Sequence, residues 1–148
     1  MIQENTSRGL RNNNPLNIRH STDRWRGARA GQTDSEFVQF TSMAYGYRAA
    51  WRVLASYRER FAKEGQPLTP RNIIRRWAPP SENNSDAYLR TVCRFTGLGG
   101  NERLEWQTAR DRQRMVLLLK GMTCVECGIG MEDADEPAIL RGYEMAFQ

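Results

Sequence analysis

From Met43 through Tyr47, Ala50, Trp51, Leu54 and Tyr57 to Phe61, apolar residues recur at three- and four-residue steps, the period of one helix face. Thr41 or Ser42 supplies its N-cap, and Gly65 with Pro67 ends it. This is the longest helix the pattern predicts, and it should run through the middle of the domain. Thr69 caps a second, short helix that has Pro70 at its first position and stops at Ala78-Pro79-Pro80. After a polar turn at 81–86, Asp86 or Ser85 can cap a third helix from Ala87 to about Thr96, with Tyr88, Leu89, Val92 and Phe95 inward. A fourth starts near Glu105 or Thr108 and ends in the run Met115-Val-Leu-Leu-Leu-Lys-Gly-Met122, apolar nearly all round and therefore buried. A last helix from Pro137 to Ala146 is capped by Asp135.

Upstream of Thr41 the pattern changes. Leu16–Arg19 and Glu36–Phe40 read as two short strands joined by a polar, Gly-containing excursion. Before them, Asn12-Asn13-Asn14-Pro15 is turn material, because short amides satisfy nearby backbone groups and Pro15 fixes one φ angle. The predicted fold is mostly α with a small β-hairpin (α+β) in one domain. Residues 1–10 form a flexible arm, 11–41 the turn and hairpin, and 42–148 the helical part.

With 148 residues, 39% of them hydrophobic, the chain can bury a proper core. A net charge of +5 points to a polyanionic partner, either nucleic acid or the bacterial wall. No apolar run is long enough to span a membrane, and the first residues lack the core of a signal peptide. A wall-directed protein would then be made in the bacterial cytoplasm and delivered by a virion, a holin or a secretion machine. Three cysteines, Cys93, Cys124 and Cys127, read as reduced thiols. Cys124 and Cys127 have CxxC spacing, but Cys93 and His20 complete no convincing metal set, so no metal and no cofactor are expected.

Asn14-Pro-Leu-Asn-Ile-Arg19, Trp25-Arg-Gly27, Phe37-Val-Gln-Phe40 and Tyr45-Gly-Tyr-Arg-Ala49 resemble, over most of the chain, a group of phage and prophage proteins described as virion structural proteins or peptidoglycan hydrolases. Over a smaller part, the same run is similar to the glucosaminidase and flagellar muramidase group of the lysozyme superfamily. In that group a strand of the form Asn-x-Phe-Gly-Ile-Lys is followed by Trp-x-Gly, a Phe-x-x-Tyr strand and a helix. Those enzymes carry a catalytic Glu at the end of a buried helix upstream of the hairpin, closely followed by Gly or Ser. Here only Glu4 lies upstream, in a polar arm. The apolar helix ending in Glu, one residue, then Gly stands at the other end, as Glu126-Cys-Gly128. The resemblance therefore implies a lysozyme-like domain of circularly permuted connectivity, with Glu126 as general acid in peptidoglycan cleavage.

Glycoside cleavage needs a carboxylic acid that stays protonated beside the scissile oxygen, and apolar neighbours such as Met122, Cys124 and Val125 would raise the pKa of Glu126. Its alternative is a solvated helix end. Asp34 and Glu36 are candidates for the second carboxylate, or else ordinary charges bordering a strand. Tyr88, in a context similar to the glucosaminidase Asp-Pro-x-Tyr run, lines the cleft or is a core aromatic. Trp25, Tyr45 and Trp77 are sugar-stacking candidates, Asn14, Asn17 and Arg19 could bind N-acetyl groups or carboxylates, and Glu82 could be a cleft acid or a turn residue.

The expected product is hydrolytic if Asp34 or Glu36 stands in the cleft, and an anhydro sugar, from attack by the muramyl 6-hydroxyl, if neither does. The expected partner is bacterial peptidoglycan, with other virion or secretion-machine proteins as further partners. The protein is expected to be a monomer with no membrane insertion. Two rivals stand beside this reading. One is a non-catalytic phage structural or glycan-binding protein that keeps the fold. The other is a basic nucleic-acid-binding module built on Arg71–Arg76 and the arginines at 24, 26 and 29; arginines spread over several segments among acidic loops argue against that partner.

Overall fold

Ser42 accepts a hydrogen bond from the Tyr45 N–H and opens the long helix where the pattern places it. A computed structural model describes residues 6–148. Its helices are α1 (Arg8–Arg11), α2 (Met43–Lys63), α3 (Pro70–Trp77), α4 (Ser85–Thr96), α5 (Ala109–Cys127) and α6 (Glu136–Phe147). A 3₁₀ turn at Met131–Asp133 links α5 to α6. The chain is mostly helical. Thr69 and Asp135 cap α3 and α6 as predicted, and α5, expected to start near Glu105 or Thr108, is capped by Thr108. At α4 the cap is Asn84, whose amide oxygen accepts from the Ala87 N–H, rather than Ser85 or Asp86. Ser85 is instead buried, with its hydroxyl on the Ala78 carbonyl.

The core forms around α2. Trp51 is fully buried, donates its indole N–H to the Ile139 carbonyl at 2.9 Å, and meets Trp106, Tyr143 and Phe147 edge-on. Truncating such an aromatic to Ala typically costs about 3–5 kcal/mol. Helix α6 covers one side of α2, while α4 packs on α5. Met115, Val116, Leu118, Leu119 and Met122 of α5 are all fully buried, as the apolar run requires.

The hairpin is corrected. Among the described residues there is no strand, only two isolated antiparallel bridges, Arg19 with Phe37 and Ala28 with Phe40. Two backbone bonds do link the expected strands, from the Val38 N–H to the Ile18 carbonyl and from the His20 N–H to the Glu36 carbonyl, and side chains supply further bonds around them. The Asn14 amide donates to the carbonyls of Ile18 and Val38 at 2.9 and 2.8 Å and accepts from the Ile18 N–H at 2.9 Å. Gln32 and Gln39 likewise bond backbone groups across the excursion. Asn13 and Asn17 adopt left-handed φ angles of 52° and 53°, which interrupts any extended run and which Asn tolerates better than most residues.

The expected flexible arm, residues 1–10, is corrected only at its C-terminal end. Residues 8–11 form a helical turn, Gly9 is buried, and residues 1–5 lie outside the described residues. This turn packs on α5, with Gly9 against Cys127, and the asparagine-rich loop is pressed onto α2 at Gly46. A Cβ there would stand 2.1 Å from the Asn13 carbonyl oxygen, so only glycine fits. All three cysteines are free thiols.

Candidate active site

Helix α5 ends at Gly128, whose φ of 68° lets the chain turn away directly after Glu126 and Cys127. Cys127 donates its thiol to the Pro15 carbonyl at 3.3 Å, which fastens the helix end to the asparagine turn. Burial pushes this thiol up to about 11, so it stays protonated. The same contact brings Asn17 to Glu126. Asn17 Nδ2 donates to Glu126 Oε1 at 2.9 Å, and the Tyr88 hydroxyl on α4 donates to Oε2 at 2.9 Å. Residues 17, 88 and 126 thus meet from three separate segments.

Burial raises the Glu126 pKa. The two hydrogen bonds and the positive charge of Arg19 pull against that shift without cancelling it. Tyr88 is buried, and its pKa is pushed well above 10 by burial and by the neighbouring carboxylate, so it remains a donor. The partners of Glu126 are thus polar and neutral. The apolar residues expected around it, Met122 and Cys124, are buried within α5.

Glu126 opens into a cleft of about 550 Å³. Asn17, Ile18, Arg19 and Phe37 form one wall, Val53, Tyr57, Arg76 and Trp77 the other, and Pro79, Glu82 and Asn83 the rim. Trp77 donates its indole N–H to the Leu16 carbonyl at 3.2 Å and meets Tyr57 edge-on. Its ring is therefore fixed in place on the cleft wall. Arg19 lies over the Phe37 ring at 4.9 Å.

Of the residues singled out from sequence, Glu126, Asn17, Arg19, Trp77 and Glu82 line this cleft, and Tyr88 lies behind Glu126 as its donor. The others are elsewhere. Asp34 is held by Arg8 Nη2 and Nε at 2.6 and 2.7 Å and by Asn12 at 2.9 Å, and also accepts from the Glu36 and Phe37 N–H groups. The Arg8 guanidinium holds its carboxyl far below the usual carboxylate range. Glu36 is exposed, pairs with Arg8 at 3.0 Å and Arg19 at 3.4 Å, and is also shifted downward by them. Neither acid lines the cleft.

Asn14 is fully buried and shapes the turn. Trp25 and Tyr45 pack on a small cluster around Val38 and Phe40, away from the cleft. Tyr45 lies so close over Gly27 (φ 82°) that no Cβ could be accommodated there. Sequence reading missed Phe37, Tyr57 and Arg76 as cleft residues. Tyr57 looks like a further member of the α2 apolar stripe, and Arg76 like solvated charge; only the packing of α3 against α2 brings them to the groove.

The chain is 33% identical over 144 residues to Protein P5 of Pseudoalteromonas phage PM2, covering 95% of this chain and 82% of the relative. It belongs to the family of that phage protein. No protein-family model matches the chain. For a member of the P5 family, two further facts bear on the site. Among the described residues, no group of His, Cys, Asp or Glu could hold a metal ion. Nor is any helix among them long and apolar enough to cross a membrane.

Proposed function

We propose that this phage protein cleaves the glycan strands of bacterial peptidoglycan, as a lysozyme-like glycosidase or lytic transglycosylase with Glu126 as general acid. The observation that carries the reading is the setting of Glu126: a carboxyl raised by burial, with each oxygen engaged by a neutral donor, facing a cleft of about 550 Å³. Asn17 can only donate through Nδ2, so Oε1 is the acceptor in both protonation states. Tyr88 donates to Oε2, a bond that stabilises the carboxylate formed when the proton leaves. Trp77 and Tyr57 offer aromatic surface to the apolar faces of the sugars.

The order of segments suits a permuted lysozyme-like arrangement, since the acid-bearing α5 follows in sequence the turn on which it packs. The phage relative supports a phage origin; action at a bacterial envelope, with delivery by a virion or its accessory proteins, is part of the proposal. Among the described residues Glu82 is the other carboxylate on the cleft. If Glu82 activates water, the products end in a reducing sugar. If it does not, the 6-hydroxyl of the muramyl residue attacks and leaves an anhydro end.

Purified peptidoglycan incubated with wild-type protein should release glycan fragments, and mass analysis of their ends distinguishes the two outcomes. Glu126→Gln should remain folded and release none. Equal activity of the two proteins would remove Glu126 from the chemistry. Inactivity of the wild type on several walls would leave a non-catalytic virion protein.

A further inference from the structure

The cleft does not end at Trp77. A second hollow of about 490 Å³ runs along α2 toward Lys63, and its walls share Tyr57 and Arg76 with the cleft. The two form one groove with Arg76 at the joint. Other cations in it have acidic neighbours: Arg60 lies 3.5 Å from Glu64, Lys63 3.8 Å from Glu59, and Arg19 3.4 Å from Glu36. Arg76 is different. Its guanidinium stands over the Tyr57 ring at 5.6 Å, is exposed, and takes part in no ion pair among the described residues.

A guanidinium supported on an aromatic face keeps N–H donors at its edge for a ligand, and a carboxylate matches that edge with two parallel bonds. A neutral sugar hydroxyl uses it poorly. Building on the glycan-cleaving reading above, we infer that Arg76 is a specificity-determining residue that binds a carboxylate carried by the glycan. The groove then selects a carboxylate-bearing aminosugar polymer over a neutral one of the same β-linked backbone. In peptidoglycan that carboxylate belongs to the lactyl group or to the peptide branch of the muramyl residue.

The test is a binding titration of the full chain carrying Glu126→Gln, which leaves the ligand intact, with and without Arg76→Gln or Arg76→Lys. Three ligands are compared: glycan strands stripped of peptide (lactyl carboxylates), peptide-bearing strands, and neutral chitohexaose. Arg76→Gln should weaken an anionic ligand roughly three- to tenfold and leave chitohexaose unchanged, the range for one charge-assisted contact at an exposed site. Arg76→Lys should recover part of that loss, and salt should narrow the gap. A loss with stripped strands assigns the lactyl carboxylate; a loss confined to peptide-bearing strands assigns the peptide. An unchanged ratio of anionic to neutral affinity overturns the role of Arg76 alone. So does an equal loss on all three ligands, because Arg76 then only shapes the Tyr57 wall. If none of the three binds, the glycan reading fails and this inference with it.

Discussion

Asp34 and Glu126 each have both carboxylate oxygens engaged by donors, yet the fold drives them in opposite directions. At Asp34 a guanidinium supplies two of the bonds, and an amide and two backbone N–H groups supply the rest. Its side chain is only 8% exposed, and it is nevertheless held as an anion. At Glu126 the bonds come from the Asn17 amide and the Tyr88 hydroxyl, with no cation bonded to it, and burial wins. Enclosure alone therefore does not set the protonation state. The charge of the donors does: a cation cancels the cost of enclosing an anion, and neutral donors reduce it without removing it. Asp34 is equipped to fasten the segment 8–11 to the turn at 34–37. Glu126, raised by burial, suits the proton donor proposed for it.

Neutral isosteres sharpen this difference most in activity. Glu126→Gln should lower the rate of glycan release by at least about a hundredfold, the low end of what a positioned general acid supplies. Asp34→Asn, assayed well below its unfolding midpoint, should keep most of the wild-type rate. If both variants are equally inactive while folded, the roles assigned to the two carboxyls are wrong.

In stability the two substitutions should act with opposite signs. Asp34 has a folded pKa below its unfolded value of 3.8, so its contribution is present above 3.8 and is lost as pH falls toward the depressed value. Asp34→Asn should lower the thermal midpoint by several degrees at pH 7, and the gap to wild type should close on acidification. Glu126 has a folded pKa above its unfolded value of 4.5, so the folded state binds its proton more tightly. That contribution is full below 4.5 and is lost as pH rises through the folded value. Glu126→Gln should therefore match wild type near pH 4 and unfold a few degrees higher at pH 7. Thermal unfolding followed by circular dichroism at the two pH values checks both signs.

Much of the helical part is legible in the sequence because helix physics is local. The apolar period of α2, the Thr69 and Asp135 caps and the buried run of α5 need no distant partner to be recognised. Glu126 is singled out only through the family resemblance; by local pattern alone it reads as a solvated helix end. The polar turn is different. Asn14 looks like a substrate ligand until its buried amide is seen to bond the backbone of both expected strands. Asp34 looks like a cleft acid until Arg8, from a segment that reads as a loose arm, is found against it. Both errors concern side chains with a partner more than twenty residues away, Val38 for Asn14 and Arg8 for Asp34, a pairing for which no periodicity exists. The same holds for Tyr57 and Arg76, which helix packing brings into the groove.

The smallest effect tests the electrostatics of Glu126 itself. Tyr88→Phe keeps the buried ring and removes the hydroxyl that bonds Oε2. That bond favours the charged form, so its loss should raise the Glu126 pKa further. A general acid works while protonated, and activity falls as pH rises through its pKa. The alkaline limb of kcat/KM should therefore move to higher pH in Tyr88→Phe. The maximal rate should fall about tenfold or less, because the carboxylate left after proton transfer loses one neutral donor. A downward shift of the limb would mean that Tyr88 stabilises the protonated acid, and that the charge balance argued for Glu126 is reversed. An unmoved limb with a lower rate would make Tyr88 a support for the shape of α4 alone.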